Sequence, residues 1–298
     1  MLRKQKMNKT LRNKSFTAEI SSTGAELVSF KKLADGCEYI WNGDKNFWAS
    51  HSPVLFPIVC ALNNGEMTVD GKVYPLGNHG FAKKMEFQLV EETGLKAVYK
   101  LTSSPETLKM YPFQFNLFIT YTLTDNQIRV EYRVENLDDQ TMYFQIGTHP
   151  GFNCPLDGKT NFSDYFIQFE SDETLERLYM NSANVVISGK SASVALENNR
   201  VLHLNHEMFY EGAMVFRNIH SKKVTLQSSK TDIKVVLTYD GLPYMGIWQA
   251  KNAPFICLEP WHGIADTDDF HGELKDKELI LSLKKAASYS CHYTIEIY

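Results

Sequence analysis

The stretch from Phe115 to Val134 constrains the fold most. Apolar residues alternate through Phe115, Leu117, Ile119, Tyr121 and Leu123. They resume through Ile128, Val130, Tyr132 and Val134 after the turn pair Asp125-Asn126. A period of two puts these side chains on one face of a pleated ribbon, which predicts a long antiparallel hairpin. Shorter strands are predicted over 16–20, 95–101, 143–146, 165–169, 224–227, 233–239, 245–248, 255–258 and 293–297, with turn pairs such as Asp70-Gly71 and Asp240-Gly241 between strands. Helical periodicity is almost absent, and any helices expected are short, for example 172–178. Many strands without βαβ alternation imply an all-β antiparallel sandwich or barrel. No linker, repeat or charge block divides the chain, so one β domain is expected over 11–298, preceded by a frayed basic tail over 1–10.

Composition narrows the function classes. With 43% hydrophobic residues the chain can bury enough apolar surface to offset its ordering entropy, so it is not a disordered chain. Thirty-one basic against thirty-five acidic residues give no electrostatic reason for a nucleic-acid partner. The longest apolar run, 53–62, is about half of the ~20 residues a spanning helix needs, so no membrane partner is expected. The N-terminus leads into no apolar core and does not read as a secretory signal. Five scattered cysteines without a C-x-x-C pair read as reduced thiols of a cytoplasmic protein rather than as a disulfide framework or zinc ribbon.

Three segments join turn residues to a polar side chain at a strand end: Gly77-Asn78-His79-Gly80-Phe81-Ala82-Lys83, Gly147-Thr148-His149-Pro150-Gly151, and Cys257-Leu258-Glu259-Pro260-Trp261-His262-Gly263. Flanking glycines let backbone approach a ligand and leave His79 uncovered. A lone glycine-flanked histidine is more often a hydrogen-bonded turn residue than a catalyst. Glu259 follows a buried apolar run, where an unpaired carboxylate is costly; a structural salt bridge is the alternative. Together the segments offer acid/base chemistry near neutral pH, and Trp261 an apolar face for a sugar ring. Other motifs are absent: no H-E-x-x-H, P-loop, G-x-G-x-x-G or G-x-S-x-G. His203 and His206 fall on opposite faces of an alternating segment and do not share a metal. Asp266, Asp268 and Asp269 read as a solvated acidic loop.

At these residues the sequence resembles the aldose 1-epimerase (galactose mutarotase-like) family, most closely its LacX-type branch. The resemblance runs through Gly24-Ala25-Glu26-Leu27, Trp41 to Trp48, Ser52-Pro53-Val54-Leu55-Phe56-Pro57-Ile58-Val59, the His79 and His149 segments, Gly246-Ile247-Trp248, Glu259-Pro260-Trp261-His262-Gly263-Ile264-Ala265-Asp266, and Gly272-Glu273-Leu274. It implies a large twisted β sandwich with a sugar cleft on one face. It also implies interconversion of hexose anomers, with His149 matching the family acid, Glu259 the base, and His79 a histidine that hydrogen-bonds the sugar. The chemistry moves protons only and calls for no cofactor and no metal. Asn78, Trp261, Lys83 and His206 complete the expected substrate-binding set. Cys60-Ala61 stands where the family has Gly-Arg, which keeps open a carbohydrate-binding protein without turnover. The family aspartate falls at His206, Glu207 or Glu211. Lys83 offers a point charge for a sugar phosphate, or is a solvated lysine beside Lys84. The expected partner is a small-molecule sugar, a hexose or sugar phosphate, with a homodimer as the candidate assembly.

Overall fold

The hairpin read from the alternation is the spine of the larger of the two main sheets, which three small sheets of two or three strands accompany among the described residues. The computed structural model describes residues 8–298. Phe115–Thr124 and Gln127–Asn136 pair in register from Thr124↔Gln127 to Phe115↔Asn136. Their alternating apolar residues are buried, as the period requires. On one side the hairpin continues through Lys96–Thr102 to the edge strand Gln88–Glu92. On the other it continues through Ser288–Ile297, Thr231–Asp240, Lys223–Ser228 and Tyr165–Phe169 to Val201–His203, giving nine antiparallel strands.

The second sheet has eight strands and carries the His149 and Glu259 segments. Its order is Val186–Val194, Leu175–Met180, Met214–Phe216, Tyr244–Trp248, Phe255–His262, Ile146–Thr148 and Val54–Leu55, with Gly151–Asn153 also on Phe255–His262. Inner faces of both sheets meet in one core: Leu117, Ile119, Tyr132 and Tyr293 from the larger, Met245, Ile247, Ile256 and Leu258 from the smaller. The outer face of the smaller sheet is different. It holds two small clusters, one around Tyr244 and Trp261 and one around Trp41, Phe255 and Cys257, under long loops. Among the described residues the helical content is confined to three-residue 3-10 turns, so the chain is an all-β twisted sandwich.

Four local expectations are corrected. The segment 172–178 is not helical: Leu175–Met180 is a strand between Val186–Val194 and Met214–Phe216, because cross-strand pairing overrides a weak local preference. The expected tail loses residues 8–10 to the strand Asn8–Arg12, which pairs with Phe16–Ser21; its remainder lies outside the described residues. The strand expected over 143–146 divides at Gln145: Met142–Phe144 pairs with Leu281–Leu283, and Ile146–Thr148 joins the smaller sheet. The strand expected to stop at Leu258 continues through Pro260 to His262, because Tyr244–Trp248 stays paired along its other edge. No helix among the described residues is long and apolar enough to cross a membrane.

Candidate active site

Strand register brings two distant segments together. Ile146–Thr148 and Gly151–Asn153 pair with Phe255–His262 in one uninterrupted register, Gly147↔Trp261 on one side of a gap and Gly151↔Cys257 on the other. Pro150 and Pro260 each lack an N–H, and the ladder is broken between them. That register sets His149 directly across from Glu259. Alternation then puts Cys257, Glu259 and Trp261 on the outer face of the sheet, while Ile256 and Leu258 point into the core. His149 Nε2 lies 3.2 Å from Glu259 Oε2, with 8% of the histidine and 1% of the glutamate exposed.

The cleft above this pair encloses about 360 Å³. Its floor is His149, Glu259 and an edge of Trp261, and its walls bring Trp48, Asn78, His79, Lys83, Asn181, Glu211 and Trp248 together. Trp48 stacks on His149 at 4.7 Å between centroids, and Trp248 meets the same ring edge-on at 5.6 Å. Trp41 Nε1 donates to the Trp48 carbonyl at 2.8 Å and holds that loop over the sheet.

The His79 loop is fixed by backbone. Gly80 adopts a positive φ, and a Cβ there would lie 2.2 Å from the Phe56 carbonyl oxygen, so only glycine permits the approach. His79 and Cys60 exchange two bonds: the His79 N–H donates to the Cys60 carbonyl at 2.9 Å, and the Cys60 N–H donates to His79 Nδ1 at 3.0 Å. An accepting Nδ1 assigns the ring proton to Nε2, which makes His79 a neutral donor. Its ring centroid is 5.6 Å from that of His149.

Burial dominates the electrostatics. It holds the His79 imidazolium well below its ordinary range, with His149 and Lys83 adding to the shift. It pulls His149 down to about 3, with Lys83 adding to the effect, and pushes the Glu259 carboxyl well above the carboxylate range. For groups in contact these shifts describe one event: the pair holds one proton, and burial favours it on the carboxyl, with the imidazole neutral. Burial also lowers the Lys83 ammonium to about 8, helped by Lys84 and opposed by Cys60 and Glu26.

Four readings change here. His206 is not among the cleft-lining residues; its ring stacks on Phe162 at 4.4 Å and Nδ1 lies 2.8 Å from Gln249 Oε1. Of the three candidates for the family aspartate, Glu211 lines the cleft. Trp261 is 1% exposed, its indole filling the space left by Gly147 and Gly246, so the aromatic walls are Trp48 and Trp248. Lys83 is not a solvated partner of Lys84 but a cleft-wall residue. Asp266 is not a solvated loop residue either. It is buried, bonded to Lys277 Nζ at 2.5 Å and accepting the Asn63 N–H at 2.9 Å, and its own N–H donates to the Ala61 carbonyl at 3.0 Å. Asn181 and Asn184 had carried no functional signal, since asparagines in a turn are expected for backbone reasons alone.

Fold and cleft together define a mutarotase-like protein, and the family model described as Aldose 1-epimerase matches residues 7–282. The chain belongs to that family. It is 31% identical to the plasmid-encoded protein LacX of Lactococcus lactis subsp. lactis over 294 residues, 96% of this chain and 98% of that one. Among solved structures it resembles a galactose mutarotase related enzyme from Lactobacillus acidophilus, with 32% identity and a TM-score of 0.92, covering 98% of this chain and 97% of the other. A galactose mutarotase-like protein from Lactobacillus casei is equally similar, at 32% identity and TM-score 0.92, covering 98% and 100%.

Proposed function

We propose that this protein interconverts the α and β anomers of a hexose or hexose derivative by opening and reclosing the ring on the His149–Glu259 pair. The observation that carries the reading is that pair, in contact at 3.2 Å on the floor of an open cleft. A sugar that hydrogen-bonds Glu259 through its anomeric hydroxyl and His149 through its ring oxygen favours the ionised pair, so the shared proton crosses to Nε2. Nε2–H then protonates the ring oxygen as Glu259 takes the hydroxyl proton; the C1–O5 bond breaks and the C1 carbonyl forms. Rotation about C1–C2 presents the other carbonyl face. Reclosure reverses both transfers, and the pair holds one proton throughout, so the cycle balances without redox chemistry. His79 Nε2–H orients the sugar, Trp48 and Trp248 cover its C–H faces, and Asn78 and Lys83 contact its periphery. Free cysteines, four of them buried, fit a reducing compartment, and the cytoplasm is the proposed location.

NMR anomer exchange on glucose, galactose and their 6-phosphates tests this. Replacing both groups together, as His149→Ala with Glu259→Gln, should slow exchange at least ~10²–10⁴-fold, the usual contribution of a positioned acid/base group. Unchanged rates in that variant would remove the pair from the mechanism. A non-catalytic sugar-binding protein is the second reading, favoured by one observation: buried Ala61 offers no guanidinium to the cleft. It predicts that sugars raise the melting temperature while anomer exchange stays at the buffer rate.

A further inference from the structure

The strand register that pairs His149 with Glu259 also supplies a third donor. Cys257 lies two residues before Glu259 on the same outward face, and its ladder partner is Gly151, whose missing side chain leaves room for Trp41 and Trp48 to pack over it. The Cys257 thiol, one His149 ring nitrogen and one Glu259 carboxylate oxygen all lie within 4.8 Å of one another. All three residues are buried, Cys257 completely. Two ligands at i and i+2 on one strand plus one from the facing strand converge above the sheet; His149 and Glu259 line the cleft, and Cys257 lies beside them in the buried cluster of Trp41 and Phe255.

We propose that His149, Cys257 and Glu259 form a site for a zinc-type divalent cation, and that the bound ion switches off the proton-transfer pair. The metal half stands on geometry alone; the inhibitory half rests on the anomer-exchange reading. The donor set of one imidazole nitrogen, one thiolate and one carboxylate is a set zinc takes, and the cleft leaves a fourth position for water. Charge favours the same ion. A thiolate and a carboxylate buried together are unfavourable, but a dication on them makes the cluster neutral. Binding releases two protons, one from the Cys257 thiol and the one held by the His149–Glu259 pair, and no electron moves. His149 Nδ1 is buried without a partner, so no carboxylate or carbonyl steadies the ring from behind. Missing outer-shell support of that kind costs about 10–100-fold in affinity, so the ion should be reversibly bound and removable by a chelator.

Cobalt(II) is the probe, because a thiolate–cobalt bond gives a near-ultraviolet charge-transfer band. The full-length protein should show the band saturating at one equivalent, and Zn²⁺ should displace it. Cys257→Ala should abolish the band, whereas Cys60→Ser, which changes the thiol that lines the cleft, should retain it. Zn²⁺ should slow anomer exchange in the parent protein and be reversed by chelator. Cys257→Ala should keep its exchange without metal and need at least ten times more Zn²⁺ for the same inhibition. Absence of a band in the parent protein, or a band unchanged in Cys257→Ala, overturns the site. Equal Zn²⁺ sensitivity of the parent and Cys257→Ala overturns the switch. If no anomer exchange exists the proposed function falls, while the cobalt band still reads the metal site independently.

Discussion

Lys83 is the one lysine or arginine among the described residues lining the cleft, and no carboxylate lies within ion-pair distance of its ammonium. Burial makes that charge expensive and lowers the ammonium to about 8, well under the ~10.4 of a free lysine. An anionic substituent on the sugar would restore the missing partner, as a point-charge contact. Lys83→Ala should therefore weaken a hexose 6-phosphate far more than the neutral hexose, and added salt should shrink the difference. The pH dependence has a definite sign. The cation is present below its lowered pKa and lost above it, so the preference for the phosphate should decay as pH rises through about 8. Titration calorimetry with both sugars across that range checks this; a preference that survives well above it would show that Lys83 does not read the anion.

At the scale of elements, the site depends on strands that leave room and loops that are bolted down. A Cβ on Gly147 would lie 2.6 Å from Trp261 Cδ1, and one on Gly246 would lie 2.5 Å from Cη2, on opposite sides of one buried indole. Gly147→Ala and Gly246→Ala should each cost about 1–3 kcal/mol by overpacking, read as a lower urea midpoint. The loop Cys60–Asn63 is tied by Asp266, through Ala61 and Asn63, to the buried Lys277. Asp266→Asn leaves that ammonium buried and unpaired, which should cost about 3–5 kcal/mol. A loss under about 1 kcal/mol in denaturant titration would show that the ion pair does not hold the loop.

For the whole molecule, stability should grade outward from the inner faces of the two sheets. Phe115–Thr124, Gln127–Asn136 and Ser288–Ile297 are central in the nine-stranded sheet and alternate buried side chains along their length. Gln88–Glu92 and Val186–Val194 are edge strands with mostly exposed side chains. Amide hydrogen exchange should therefore open the edges first and reach the hairpin only through global unfolding. Protection of Gln88–Glu92 equal to that of the hairpin would mean that this edge is covered by something beyond the chain itself.

The sequence by itself determined the strand character, the long hairpin and the three segments from which the cleft is built. These are local signals: alternation needs only neighbours two residues away, and glycine or proline beside a histidine marks a strand end wherever the chain goes. The pairing of His149 with Glu259 across 110 positions of chain depends on the register of strands meeting at Phe255–His262, which no local pattern encodes. Tertiary contacts also decided side-chain environment. They removed His206 to Phe162 and Gln249, buried Asp266 against Lys277, turned Lys83 into the cleft and left Trp261 almost no exposed surface. A side chain's solvation and charge depend on everything folded around it, and that information exists only once the two sheets have closed on each other.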